Sequence, residues 1–446
     1  MKPADEHVSP AIEVGVRRIP ELDPGAPLPP SDPLLVSRIT AEIEASGPMT
    51  FARFMEIALY DPDAGYYVRD AAAADGAGVN TETPAGPGRT ADFLTAPEGH
   101  PIFGWVIARH LESVWDALDR PSQFVIREHG AGTGALAAGI LDGLRRSGSE
   151  LLAAVRYQAI DLSPARLAAL VDRLATLNGL DRYLLPRSDS TPAPGVILAN
   201  ELLDALPVHR VEGGSDGQLL ERFVTVAGGT GPRGDNVQGG AHSQRAAAPQ
   251  APGSPTAESH FTTVLDAPST PALAARLAAE GIALAPGQAA EICLAIDDWI
   301  AAATGPLERG ELLLIDYGYP ADQLYRPERG STLRAYHRHR VHADPLVAIG
   351  RQDLTAHVDV TAVERAAVAA GLEPIGRTTQ AQFLADLGAG ELLVALQSEP
   401  NATLESYLEA RSALVRMLDP RATGAFAVLR FGRGIKRGEL FGSSPG

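Results

Sequence analysis

The stretch Val125–Leu141, VIREHGAGTGALAAGIL, decides the fold. Phe124, Val125 and Ile126 form an unbroken apolar run, as a strand covered on both faces requires. Gly130, Gly132 and Gly134 follow at alternate positions, and Ala135, Leu136, Ala137 and Ala138 are good helix formers. The order is strand, glycine turn, helix. Glycines let the chain turn sharply and let a ligand lie against bare backbone. The first turn of the helix offers unpaired N–H groups. Glu128 closes the strand two residues before the first glycine.

Two nucleotide ligands fit such a turn. Dinucleotide sites use G-x-G-x-x-G, with the pyrophosphate on the helix N-terminus. Here the spacing is G-x-G-x-G with a carboxylate just upstream, which resembles motif I of the class I S-adenosylmethionine (AdoMet) methyltransferases. AdoMet carries a sulfonium and an ammonium, so a neighbouring carboxylate attracts it, whereas a pyrophosphate would be repelled. A glycine turn without a ligand is the third reading.

The chain has 446 residues, enough for two or three domains or one large domain with insertions. Its 38 Lys and Arg against 55 Asp and Glu give a net charge of −17, unsuited to general nucleic-acid binding. Cys293 is the only cysteine, which excludes an intrachain disulfide and a cysteine-rich metal site. It sits in an apolar stretch expected to be helical core. No run of about 18 apolar residues predicts a membrane span. The N-terminus lacks a signal-peptide pattern, and a cytoplasmic protein is expected.

The proline-rich residues 1–33 read as a disordered tail. Residues 34–118 read as a helical segment, with helices over Pro33–Ala45 and from Thr50, a turn YDPDAGYY at Tyr60–Tyr67, a flexible insertion at 71–89 and a helix over Trp105–Leu118. Residues 119–226 read as the cofactor-binding α/β core. Its second strand is Val155–Asp161, its second helix starts at Ser163-Pro164, and a third strand, Val196–Ala199, opens a helix over Asn200–Leu206. Val208–Val226 reads as a hairpin, and 227–260, poor in large apolar residues, as a disordered insertion. Residues 261–446 complete the sheet and supply the substrate side. They carry helices over Pro271–Gly281 and Gln288–Ala303, a strand over Glu311–Tyr317, an irregular region over Gly318–Asp359, three further helices and a late strand over Phe426–Phe431. Alternating strand and helix predict an α/β fold with a doubly wound, mostly parallel, Rossmann-like sheet.

Asp161 ends the second strand, where an acid accepts hydrogen bonds from ribose hydroxyls; the alternative is a turn cap before Ser163. Asn200, Glu201 and Asp204 follow the third strand, at the sheet edge where open α/β sheets bind ligands. On a helix, Glu201 and Asp204 at i, i+3 would share one face and could grip a guanidinium through charge-assisted hydrogen bonds. Acids at a helix start also serve the dipole alone. Asp316 and Tyr317 end a strand at the same edge. His339, Asp353, His357 and Asp359 match no metal-ligand spacing, so no metal is expected and hydrogen bonding is their expected role.

Together these stretches resemble the MidA-type methyltransferases, which include mitochondrial complex I assembly-factor arginine methyltransferases. The resemblance rests on MTFARFMEIALYDPDAGYY from Met49, DFLTAPEGHPIFG from Asp92, EHGAGTG from Glu128, ANELLDALPV from Ala199, LLLIDYGYP from Leu312, STLRAYHRHR from Ser331 and GRQDLTAHVD from Gly350. It implies AdoMet bound by Glu128, Gly130, Gly132, Gly134, Asp161 and Asn200, and methyl transfer to a protein arginine with symmetric dimethylarginine as the product type. Glu201 and Asp204 would then be catalytic, with His339 or His357 as a proton relay. A respiratory-complex subunit is a candidate acceptor. Gly99, His100 and Gly139 depart from the family pattern. An NAD oxidoreductase and a non-catalytic assembly scaffold are the competing readings, and the sequence leaves the oligomeric state open.

Overall fold

The computed structural model describes residues 27–69, 95–228, 260–337, 340–399 and 403–435. The tail over 1–26, the insertion over 71–89, nearly all of 227–260, and His339 lie outside them.

Helices α1 (Pro33–Ser46) and α2 (Phe51–Tyr60) open the described chain, with α3 (Ile102–Ala117) after them. Asp32 caps α1 by accepting from the Leu34 N–H at 3.0 Å, and Thr50 caps α2 by accepting from Arg53 at 3.2 Å. The sheet then begins with β1 (Phe124–His129), followed by α4 (Ala135–Ser147), β2 (Val155–Ile160), α5 (Pro164–Thr176) and β3 (Ala193–Asn200). Ser163 caps α5, with proline at the first turn. Helix α6 (Ala295–Thr304) leads into β4 (Leu307–Asp316), and α7 (Val360–Ala369) into β5 (Glu373–Thr379). Helices α8 (Gln380–Asp386), α9 (Ala389–Ala395) and α10 (Leu404–Leu418) precede β6 (Ala427–Arg433).

These six strands form one sheet in the order β5-β6-β4-β3-β1-β2. β2, β1, β3 and β4 run parallel, and β6 runs antiparallel to both β4 and β5. Strand residues alternate between two apolar layers. Ile126, Tyr157, Leu198, Leu313 and Val428 pack with α3, α4 and α5 on one face. Ile197, Ala199, Leu312, Leu314 and Phe431 pack with α6 and α7 on the other. The mostly parallel expectation thus covers four strands, and the sheet as a whole is mixed. A second, antiparallel sheet joins Met49–Thr50, Leu219–Val226, His209–Gly213 and Ala289–Ile292, with Phe261–Asp266 on the free side of Leu219–Val226.

Three local expectations are corrected. Asn200–Leu206 forms no α-helix: Glu201 has φ 53°, and only Leu203–Ala205 makes a short 3-10 turn. The helix expected over Gln288–Ala303 is a strand, Ala289–Ile292, followed by α6. Ala290 and Ile292 bury against Leu273 and Leu277 as the strand pairs with His209–Gly213. Cys293 therefore sits in the connection between strand and helix, half-buried. The region Gly318–Asp359 carries short strands at Arg334–His337, Arg340–His342 and Asp353–Thr355.

The departures from the family pattern have a packing reason. A Cβ on Gly104 would lie 2.6 Å from the Gly139 backbone, and one on Gly139 would lie 3.0 Å from Gly104 Cα. These two glycines let α3 and α4 cross with their backbones in contact, and a side chain at Gly139 would crowd Gly104. His100 Nδ1 accepts from the Ile102 N–H at 3.1 Å and satisfies a free donor at the start of α3. Gly104→Ala should destabilise the protein by about 1–3 kcal/mol through overpacking, outweighing the helical gain of about 1 kcal/mol. Urea unfolding checks this, with a lower midpoint at unchanged slope as the expected result.

Candidate active site at the strand ends

The parallel strands end at one edge in polar residues. His129 lies beside Ile160 and Ala199, and Asn200 beside Ile315. Asp161 and Glu201 occupy the turns that leave β2 and β3, and Asp316 is the last residue of β4. Over this edge lies a cavity of about 500 Å³, within the size range of small-molecule sites.

The glycine turn forms its floor. Gly130 and Ala131 donate N–H bonds to Ile160 O at 2.8 and 3.1 Å, and Gly132 donates to Asp161 Oδ2 at 2.9 Å. The turn is thereby pinned to the end of β2. Gly132 has φ 52°, and a Cβ there would meet nothing within 4 Å, so its bare backbone faces open cavity. The other two glycines face protein: a Cβ on Gly130 would strike Leu202, and one on Gly134 would strike Leu170. Thr133 Oγ1 donates to Glu98 Oε1 at 2.7 Å, which ties the TAPEGHP stretch to the same floor.

Glu128, Gly130, Gly132, Asp161, Asn200 and Glu201 all line the cavity. Gly134 and Asp204 are not among its lining residues. Tyr157 OH donates to Glu128 Oε2 at 2.6 Å, while burial pushes the Glu128 carboxyl up to about 8. Asp161 also accepts from the Ser163 N–H at 2.9 Å. Its two oxygens keep further acceptor capacity. Asn200 Nδ2 donates to Glu201 Oε1 at 3.0 Å, and Asn200 Oδ1 is buried without a partner. Burial, then the charge of Asp204, pushes Glu201 up to about 7.

Asp204 belongs to a different cluster. Asp316 Oδ2 accepts from the N–H groups of Leu202, Leu203 and Asp204 at 3.1, 2.8 and 3.3 Å. Burial raises both carboxyls, and the charge of Asp204 raises Asp316 further. The shared helical face expected for Glu201 and Asp204 does not form. The left-handed turn at Glu201 sends its side chain to the cavity and leaves Asp204 off the lining. His357 is also off the cavity lining, packed 5.1 Å from the Tyr317 ring. Asp353 accepts from Tyr67 OH at 2.8 Å, and Asp359 caps α7. Among the described residues, no group of three or more His, Cys, Asp or Glu is placed to hold a metal ion.

Several lining residues were missed in the sequence. Tyr60 ends α2 and Tyr67 lies in the turn after it, Arg166 comes from α5, and Ala295 and Trp299 from α6. The YDPDAGYY turn carried the only visible signal, two aromatics closing a polar loop. Trp299 was hidden within a helix that read as ordinary core; its ring packs edge-on against His129 at 5.3 Å.

The glycine floor, Asp161 and the acid-rich walls are chemically complementary to a nucleoside that carries positive charge. The unpartnered Asn200 Oδ1 and the carboxylates of Glu128, Asp161 and Glu201 suit the ribose, ammonium and sulfonium of AdoMet. A family model described as an S-adenosyl-L-methionine-dependent methyltransferase, Methyltransf_28, matches residues 106–378. The chain belongs to this methyltransferase family and uses AdoMet as methyl donor. It is similar, at 27% identity over 87% of its length and 82% of the relative's, to the mitochondrial protein arginine methyltransferase NDUFAF7 homolog of Drosophila melanogaster. It is 27% identical to mitochondrial NDUFAF7 of Mus musculus, over 82% of this chain and 78% of that one. A COG1565 superfamily member from Burkholderia thailandensis, solved bound to S-adenosyl-homocysteine, superposes with a TM-score of 0.75 at 31% identity, covering 94% of this chain and 98% of its own. The mitochondrial names of these curated relatives overturn the cytoplasmic expectation. No described helix is long and apolar enough to cross a membrane.

Gly132→Val should abolish AdoMet binding, because a β-branched residue resists φ 52° and its methyls would fill the open floor. Calorimetry on the folded variant checks this; near-normal affinity would move the ligand elsewhere.

Proposed function

We propose that this protein transfers a methyl group from AdoMet to an arginine side chain of a protein substrate, with Glu201 as the acid that receives the guanidinium. The observation that carries the reading is Glu201 itself. It is held on the cavity wall by its left-handed turn and by Asn200, at the strand edge next to the glycine floor. The relatives named as protein arginine methyltransferases, matched over most of both chains, support the acceptor type.

When bound, AdoMet supplies a methyl group already activated by its sulfonium. The remaining work falls to the protein. Asp161 and the Gly132 backbone would hold the nucleoside, and Glu128 would attract the cationic groups. A guanidinium stays protonated at neutral pH and is a poor nucleophile. Glu201 would orient it by charge-assisted hydrogen bonds and localise its positive charge on the nitrogens it contacts, leaving the remaining nitrogen to take the methyl as the S–CH3 bond breaks and to release its proton to water. Burial of the acceptor beside the donor supplies proximity. The two-carboxylate grip on the guanidinium is thus narrowed to one acid, with Asp204 supporting the loop that carries it.

Methyl-labelled AdoMet incubated with source-cell lysate, followed by mass spectrometry, should yield labelled methylarginine, and fragment ions should identify the methylation pattern. Label found only on other residues would sink the arginine reading. Glu201→Gln should slow transfer roughly ten- to hundredfold, as for a lost charged hydrogen bond of about 1.5–3 kcal/mol in the transition state. AdoMet affinity should stay within a fewfold. The wild-type rate should rise with pH as Glu201 ionises near 7 and level off above it, a rise the Gln variant should lack.

A further inference from the structure

The cavity has an aromatic wall in addition to its glycine floor and carboxylates. Tyr60 and Tyr67 stack with ring centroids 5.6 Å apart and planes 19° from parallel, and both line the cavity. Their hydroxyls are committed. Tyr60 OH donates to Ala205 O at 2.7 Å, and Tyr67 OH donates to Asp353 Oδ1 at 2.8 Å. The pair therefore offers the cavity ring surface rather than hydroxyl chemistry. Five carboxylates line the same space, from Glu56, Glu98, Glu128, Asp161 and Glu201, and Arg166 is the one Lys or Arg among the described lining residues. The Arg166 guanidinium rests over the Tyr67 ring, 5.6 Å from its centroid. The wall already accommodates a guanidinium of this chain.

We propose that Tyr60 and Tyr67 form a cation–π platform that selects a flat, positively charged acceptor side chain and presents it to Glu201. The proposal rests on the arginine reading above and adds the determinant of acceptor specificity. A planar cation gains from aromatic surface and from the surrounding carboxylates together; a neutral isostere of the same shape gains from neither. Because both hydroxyls are already hydrogen-bonded within the protein, the rings carry the selection.

The test measures binding of N-acetyl-arginine methylamide, and of its neutral citrulline counterpart, to protein saturated with S-adenosyl-homocysteine. Wild type should prefer the arginine probe. Tyr60→Phe and Tyr67→Phe should keep that preference, because the ring remains. Tyr60→Leu and Tyr67→Leu should reduce it about three- to thirtyfold, the range of one cation–π contact, with S-adenosyl-homocysteine affinity unchanged. Equal wild-type binding of the two probes, or an undiminished preference in both Leu variants, would overturn the platform. If the Leu variants lose the cofactor, nuclear Overhauser contacts in wild type decide. Contacts from the probe's δ-methylene to ring protons of Tyr60 or Tyr67 support the platform, and their absence overturns it. Failure of the Leu arms leaves arginine methylation in lysate standing. A lysate without methylarginine strikes the arginine reading itself.

Discussion

The site depends on one buried carboxylate at the end of β4. Asp316 Oδ2 collects three backbone N–H groups from Leu202, Leu203 and Asp204, and its Oδ1 takes a fourth from Tyr317 at 2.8 Å. Those first three donors belong to a chain that leaves β3 and would otherwise need a helical or solvated solution for them. With the donors captured sideways by a neighbouring strand, Glu201 turns into left-handed space and the chain departs as a short 3-10 turn. The same capture sets Asn200 and Glu201 on the cavity wall and hangs the Ala205–Pro207 segment over it. Tyr60 then fastens to Ala205 O, so α2 is hitched to the loop that Asp316 shaped.

Charge around the cavity follows from burial. Glu128 and Glu201 are raised to about 8 and about 7 chiefly because their ionised forms lose water. An empty site of this kind holds protons near neutral pH. A cation placed beside either carboxylate would favour its ionised form. His129 is driven the other way, down to about 4 by burial and then by Arg127, so it stays neutral beside Trp299 and contributes packing rather than charge.

Much of the cofactor side was legible because it is written in consecutive units. The run Phe124–Ile126, the alternating glycines and the caps at Thr50 and Ser163 are local signals, and local hydrogen bonds make them so. The error at Asn200–Leu206 has the opposite origin. Its composition suits a helix start, and the group that forbids the helix, Asp316, lies more than a hundred residues downstream. Ala289–Ile292 read as helix for the same reason: its partner strand, His209–Gly213, is distant in sequence, and a short apolar run does not declare its period. β5 was overlooked because Glu373–Thr379 alternates weakly and pairs at the sheet edge with β6 alone.

The two sides of the cavity are therefore built by different physics. The glycine-floor side comes from two adjacent strand–turn units whose backbone amides and acids are fixed by the parallel sheet. The opposite wall is assembled from α2, the loop after β3 and α6, elements joined by side-chain contacts such as Tyr60 to Ala205 and Tyr67 to Asp353. Replacing one of those side chains alters the wall without moving the floor. A relative at 31% identity can thus share the fold across 94% of this chain while the acceptor wall is free to be tuned. On the proposal above, acceptor choice rests on those distant contacts rather than on the glycine turn that organises the fold.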